Sequence, residues 1–153
     1  MSMVNQILDL VYTEKVREEE GGTYGVSVHG NLDKYPREEF SLEIMFDTDP
    51  AKREKLMKII FAEVEALGTN GPSDINLNKV KEYMLKQHAE NLKENSYWSG
   101  VISSYVKNGI DTLNGLESLI NSISAEDIRS FANSLFIKQK NEIEVSMISL
   151  EKE

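Results

Sequence analysis

Residues 17–28 read REEEGGTYGVSV, and this stretch contains the change from a helix to a β-strand. Upstream of it, apolar residues recur at the spacing of one helix face: Val4, Ile7, Leu8 and Val11. Downstream, residues 24–28 alternate in the manner of a strand with one buried face. The pair Gly21-Gly22 suits the turn between them, because glycine reaches backbone conformations that other residues avoid.

Two hydrogen-bond donors flank this turn. The guanidinium of Arg17 lies at the predicted end of the helix, and the phenol of Tyr24 lies at the start of the strand. Arginine is always charged, and tyrosine is a neutral donor near pH 7. Such a pair can hold a carbonyl oxygen, which points to substrate binding more than to catalysis.

The composition excludes several classes of partner. The 153 residues include 26 acidic and 17 basic side chains, for a net charge of -9, whereas nucleic-acid binding needs a basic surface. No apolar run approaches the roughly 18 residues of a membrane-spanning helix, and no signal peptide is visible. We therefore expect a soluble chain that binds neither nucleic acid nor membrane. The compartment stays open, with the bacterial cell envelope or periplasm as one setting for a longer precursor.

The rest of the chain predicts an α+β fold, an antiparallel sheet with helices packed on one face. Strands are expected near 24–30, 39–47 and 142–149, where apolar residues alternate. Helices are expected between them, the first starting at Asp49-Pro50 and ended by Gly68 and Gly71-Pro72. Three strands form a small sheet, so its exposed edge should pair with another strand. A homo-oligomer that forms through this edge is one way to provide that strand.

The ordered motifs resemble the pitrilysin/insulinase family of zinc metallopeptidases, the inverzincins, and specifically their non-catalytic C-terminal homologous domain. The resemblance rests on residues 17–28, on EALGTNGPSDINLNKVKEYMLKQ at 65–87 and on INSISAEDI at 120–128. It covers nearly all of residues 4–150. It implies that residues 1–153 form one partial domain of a longer peptidase, with the opening strands of the sheet missing.

The resemblance also implies a role. Homologous domains of this family close around a peptide, and the non-catalytic one offers an Arg and a Tyr seven residues apart, the spacing of Arg17 and Tyr24. It therefore implies a substrate-clamping domain of a zinc metalloendopeptidase that degrades peptides. Its partners would be the peptide and a catalytic zinc domain, in the same longer chain or in a sister subunit. The alternative is a structural or assembly domain of a family member without peptidase activity.

Metal binding and catalysis are expected in the sister domain and not here. The family's zinc motif, His-x-x-Glu-His, does not occur in this chain, so we expect no metal ligand, no cofactor and no catalytic residue. His29 and His88 are far apart in sequence, whereas a zinc site needs three or four ligands. Arg17 and Tyr24 also have ordinary interpretations, as a cation at a helix end and as a common strand residue.

Overall fold

The computed structural model describes residues 1–19, 23, 25–33, 36–138 and 141–148, without the side chains of residues 17–19. Two compact units divide the chain. The first contains Met1–Pro72 and Glu126–Glu153, and the second contains Ser73–Ala125. Within the described residues, no helix combines the length and the apolarity that crossing a bilayer requires.

The first unit opens with a helix that changes its winding. Helix α1 spans Ser2–Tyr12, and a π-helical segment, π1, continues it over Thr13–Glu19. The predicted apolar face is largely confirmed, because Val4, Ile7 and Leu8 are buried. Burial continues at Tyr12 and Val16, both 0% exposed. The buried face of α1 therefore continues into π1 as far as Val16.

A β-hairpin follows, and it confirms the first two predicted strands. Strand β1 spans Val26–Asp33, and strand β2 spans Glu39–Phe46. They pair antiparallel, with Val28 opposite Ile44 and Leu32 opposite Phe40. Every second residue of β2 is half-buried, as the alternation predicts. Helix α1 packs against β1, so this hairpin has one face on the core.

Helix α2 spans Arg53–Asn70; its start differs from the prediction, and of the two predicted ends Gly71-Pro72 is confirmed whereas Gly68 is not. Asp49 closes a turn before it, accepting the backbone N–H of Ala51 at 2.8 Å, so the helix begins later than expected. Gly68 lies inside the helix, where its carbonyl accepts the Nδ2 group of Asn133 at 3.1 Å. The chain leaves the helix at Gly71, with a φ of 75° that favours glycine.

Asn133 belongs to a second π-helical segment, π2, which spans Asn133–Ile137 and follows helix α6, Ala125–Ala132. Segment π2 packs against α2, and the ring of Phe136 meets the ring of Phe40 edge-on, 6.1 Å between centroids. Through this contact, π2 packs against β2. Helix α2, π2 and the hairpin thus belong to the same compact unit.

The second unit is helical throughout its regular structure. Helix α3 spans Asp74–Asn91, α4 spans Asn95–Asn108 and α5 spans Leu116–Ser122. The hydroxyl of Ser73 caps α3 by accepting the N–H of Asn76 at 3.1 Å. Gly109 ends α4 in the left-handed conformation, as its position predicts. Lys81 donates to the backbone carbonyl of Asn121 and so ties α3 to the end of α5.

The predicted third strand is wrong for the residues that can be compared. Over 141–148 the backbone forms neither helix nor strand, and position 149 lies outside the described residues. Alternation makes a strand only where a neighbouring strand accepts its hydrogen bonds, and this segment has no such neighbour in the described part of the chain. The α+β class is confirmed, as a helix-rich fold with a two-stranded antiparallel sheet.

Candidate substrate-binding site

The predicted site lies between π1 and β1, where the sequence predicts a turn. The backbone of Arg17 belongs to π1, but its side chain is outside the described residues, as is all of Tyr24. Gly21 and Gly22 also fall outside them. The pairing of Arg17 with Tyr24 in one cleft therefore stays a prediction, and the structure describes the segments on either side of it, π1 and β1.

Two contacts with α2 and one buried side chain hold the end of α1 and the first residues of π1. The hydroxyl of Tyr12 donates to the backbone carbonyl of Ile60 in α2 across 3.0 Å, inside the core. Lys15 forms an ion pair with Glu63, one turn further along α2, with 2.6 Å between Nζ and Oε1. Val16 is fully buried beside Arg17 in the sequence. Helix α2 thus sets the position of the backbone that bears Arg17.

The start of β1 is held by local and long-range hydrogen bonds. The hydroxyl of Thr23 donates to the carbonyl of Gly25 at 2.9 Å and accepts the N–H of Gly25 at 3.2 Å. Further along, Nδ2 of Asn5 in α1 donates to the carbonyl of Gly30 at 3.1 Å. The absent side chain of Gly30 permits this approach, since a Cβ there would overlap Oδ1 of Asn5. The strand that follows Tyr24 is therefore anchored to α1.

Tyr12 is kept neutral by its surroundings. Burial raises the pKa of its phenol above the ordinary value, because the phenolate would lose its hydration. The carboxylate of Glu63 raises the pKa further by repelling that negative charge. The hydroxyl therefore stays protonated at every physiological pH and can donate its hydrogen bond to the carbonyl of Ile60.

The described side chains do not suit a metal ion. Nowhere in the described ranges do three or more His, Cys, Asp or Glu residues gather into a group that could hold one. His29 lies on β1 opposite Glu43, 2.9 Å from the hydroxyl of Ser27. His88 is buried in α3, and its Nδ1 is 3.2 Å from the hydroxyl of Tyr97. Each imidazole thus has a structural partner within its own unit.

The residues that position the turn were not expected from the sequence. Tyr12 follows Leu8 by four residues and extends the buried face, and that spacing could have indicated its burial. Its partner Ile60 is 48 residues away, as Glu63 is from Lys15. Pairings over such a separation depend on how two helices pack, which periodicity alone does not report.

Comparison with known proteins places these features in a family. A family model described as "Peptidase M16 inactive domain" matches residues 1–84, which include α1, π1, the hairpin and α2. The chloroplastic stromal processing peptidase of Pisum sativum is 26% identical over 133 residues, covering 83% of this chain and 10% of that protein. The chain thus spans a tenth of the length of this curated relative.

Solved structures share the fold. The periplasmic protease PqqL of Escherichia coli matches with a TM-score of 0.70 and 16% identity, over 86% of this chain and 15% of that chain. The ferredoxin protease FusC, solved as a point mutant in complex with Arabidopsis ferredoxin, matches with a TM-score of 0.66 and 18% identity. That match covers 88% of this chain and 15% of the protease. At these identities the matches establish a common fold.

Proposed function

We propose a peptide-binding role for this chain, which belongs to the family of peptidase M16 inactive domains. In this proposal the chain holds a substrate peptide beside a catalytic zinc domain that cuts it. The family match carries the proposal, because residues 1–84 include both Arg17 and Tyr24. The geometry adds support, since the segments before and after the turn are anchored to α2 and α1.

Arg17 and Tyr24 are the proposed substrate-binding residues. A guanidinium and a phenol can both donate to one carbonyl oxygen, and a charged donor makes the stronger bond. Preformed donors are most effective when they need no reorganisation, as with an oxyanion hole. The contacts of Tyr12 and Lys15 with α2 supply such preorganisation for the backbone of π1.

The proposed partners extend beyond this chain. Zinc and its ligands belong to the catalytic domain, in the same longer chain or in a sister subunit, and residues 1–153 act as one partial domain beside it. A zinc ion there would polarise the scissile carbonyl and activate water. Each strand of the hairpin has one strand neighbour among the described residues, so copies of the chain can also associate through a sheet edge.

A polypeptide is the substrate class that the relatives favour. One structural relative is named a ferredoxin protease and was solved with ferredoxin, and the curated relative is named a processing peptidase. Both names describe action on proteins. We carry over only that class, because the chain covers 15% or less of either relative.

Peptide binding by the isolated chain tests the proposal. Fluorescein-labelled oligopeptides of random sequence serve as probes, and fluorescence anisotropy reports their Kd. Arg17→Ala and Tyr24→Phe should each weaken binding, the first by about 10-fold or more, since hydrogen bonds to charged groups contribute about 1.5–3 kcal/mol. Arg37→Ala and Tyr83→Phe are the matched controls, because both side chains are exposed and lie elsewhere.

The two outcomes separate the candidate roles. Weakened binding in the site variants with unchanged binding in the controls supports the clamp. Binding that is equal in all four variants, or absent in the wild type, favours the structural or assembly domain. Circular dichroism of each variant checks that the fold is retained.

A further inference from the structure

Glu63 in α2 holds π1, the segment that carries the backbone of Arg17, through an ion pair. Its carboxylate oxygen Oε1 lies 2.6 Å from Nζ of Lys15, and the Glu63 side chain is only 17% exposed, against 45% for Lys15. An ion pair with one shielded partner is screened less by salt than a pair at the open surface. The contact between Glu63 and Lys15 is therefore suited to hold π1 in one place.

The charge of Glu63 is directed away from its own helix. The positions three and four residues from it on α2, where a helical partner would lie, are all apolar: Ile59, Ile60, Ala66 and Leu67. Its carboxylate also raises the pKa of the buried phenol of Tyr12, so the negative charge lies close to the end of α1. Glu63 thus acts between helices, on α1 and π1.

Two contacts with α2 lie on either side of the point where α1 becomes π1. Tyr12, the last residue of α1, bonds to Ile60. Lys15, the third residue of π1, pairs with Glu63. The contact residues are three apart on both helices, so the two contacts together fix the rotation of the chain between residues 12 and 15. An α-helix turns roughly 300° over three residues, and a π-helix turns less because each of its turns holds about one residue more. The ion pair therefore depends on the winding.

We propose that Glu63 is a positioning residue for Arg17, which keeps π1 in its π-helical winding by holding Lys15. Arg17 follows Lys15 by two residues inside π1, so a change of winding at Lys15 rotates the backbone of residue 17 about the helix axis. Glu63 acts through this backbone and needs no contact with a peptide. The effect on binding rests on the proposed role of Arg17, whereas the control of the winding does not.

Peptide binding by the chain measures the effect on the site, with fluorescein-labelled oligopeptides of random sequence as probes. Glu63→Gln keeps the shape of the side chain but removes its charge, and it should raise the Kd roughly 3- to 10-fold, as for residues coupled in one network. Glu65→Gln, at an exposed position on the same helix, is the matched control and should leave the Kd unchanged. In an Arg17→Ala background, Glu63→Gln should change the Kd no further. Equal weakening in both backgrounds would show a general loss of stability and overturn the inference.

Exchanging the two charges tests the ion pair itself. Lys15→Glu and Glu63→Lys should each weaken peptide binding, because each places two like charges beside one another. The double variant restores an ion pair of reversed polarity and should recover most of the lost affinity. Losses that simply add in the double variant overturn the inference.

Spin labels measure the winding without a peptide. The chain contains no cysteine, so Arg17→Cys and Lys58→Cys place one label on π1 and one at an exposed position of α2. Double electron–electron resonance should give a shifted or second distance when Glu63→Gln is added and an unchanged distance when Glu65→Gln is added. The same distance in all three proteins overturns the inference, whether or not the chain binds peptides.

The two measurements separate the inference from the proposed function. If Arg17→Ala weakens peptide binding and Glu63→Gln does not, the proposed function stands and the positioning role of Glu63 is wrong. If Glu63→Gln changes the distance between the labels while Arg17→Ala binds peptides as tightly as the wild type, Glu63 controls the winding and the proposed role of Arg17 is wrong. Circular dichroism of each variant checks that the fold is retained.

Discussion

The hydroxyl of Tyr12 and the backbone carbonyl of Ile60 form a hydrogen bond of 3.0 Å inside the core. This bond joins the last residue of α1 to the middle of α2, immediately before π1 begins. Uninterrupted π-helical winding over Thr13–Glu19 is uncommon and is found most often near functional sites. The bond therefore fixes the origin of the segment that leads to the proposed substrate-binding turn.

Removing this hydroxyl should destabilise the first unit without changing its shape. Tyr12→Phe keeps the ring but leaves the carbonyl of Ile60 with only its bond inside α2. We expect a loss of about 0.5–1.5 kcal/mol in the free energy of unfolding, measured by urea denaturation. Tyr83→Phe, at an exposed position, should change the stability by less than about 0.5 kcal/mol. Equal losses in the two variants would contradict a special role for the buried bond.

The phenol of Tyr12 should make the free energy of unfolding decrease in alkaline solution. Its pKa in the folded chain lies above the ordinary value of 10.0, chiefly through burial and secondly through Glu63. A group whose folded pKa is raised contributes its stability in full below the unfolded pKa and loses it as the pH rises further. Denaturation midpoints should therefore decline above about pH 10, and Tyr12→Phe should flatten that decline. An identical slope in both proteins would assign the effect to other groups.

The sequence predicted the hairpin well, because its strands alternate and the alternation is realised in β2. It named both Gly68 and Gly71-Pro72 as the end of α2, and the helix passes through Gly68 and ends at Gly71. At Gly68, π2 packs closely, since a Cβ there would lie 2.9 Å from the side chain of Ile137. Such a glycine serves close packing instead of termination. Local composition does not distinguish these two uses.

The site could be predicted only in part from the sequence, for a similar reason. The resemblance to a family selected Arg17 and Tyr24, since a helix-end arginine and a strand tyrosine are common in any protein. The contact of Lys15 with Glu63 joins residues 48 apart, and only the packing of π1 on α2 brings them together. The strand expected at 142–149 does not form over 142–148, because alternation describes a single segment, whereas a strand also needs a neighbouring strand to pair with.

Substitution of Gly30 in β1 by alanine should lower the stability of the chain. In Gly30→Ala the Cβ would overlap Oδ1 of Asn5, so the Asn5 side chain must move and its bond to the Gly30 carbonyl weakens. We expect about 0.5–1.5 kcal/mol of destabilisation from the weakened hydrogen bond, since the crowded atoms belong to the flexible side chains of Asn5 and Met1, which can move. Gly100→Ala in α4 is the matched control, with no atom within 4 Å of the new Cβ. It should stabilise its helix by roughly 0.5–1 kcal/mol, and the opposite signs should be visible in thermal melts.

Purified chain should contain zinc well below one equivalent and should not cut peptides. The described residues gather no group of three or more metal-binding side chains, and both histidines have other partners. Elemental analysis after dialysis measures the zinc, and incubation with casein measures proteolysis with and without a chelator. Chelator-sensitive cleavage by the isolated chain would show that this chain contains catalytic residues. It would contradict the proposal that zinc and catalysis belong to a separate domain.

In the proposed assembly with a zinc-bearing catalytic domain, the rate of peptide cleavage should fall when either Arg17 or Tyr24 loses its donor. Tyr24→Phe deletes one hydrogen bond to the carbonyl that becomes an oxyanion, and loss of one such donor typically costs about 2.7–4 kcal/mol of transition-state stabilisation. The kcat of peptide cleavage should fall about 100- to 1,000-fold, while the zinc content stays unchanged because no metal ligand is altered. Arg17→Ala should cost at least as much, since it also removes a charge that holds the peptide.

Arg37→Ala and Tyr83→Phe carry the same chemical changes at exposed positions outside residues 17–24, so both should cleave at the wild-type rate. The comparison of kcat with KM separates the roles. A fall in kcat indicates donors that act on the transition state, and a rise in KM alone indicates uniform binding of the peptide. If Arg17→Ala and Tyr24→Phe cleave as fast as these controls, the clamp assignment is wrong. The chain then acts as a structural domain, because its anchored helix and hairpin would still provide a surface for the catalytic partner.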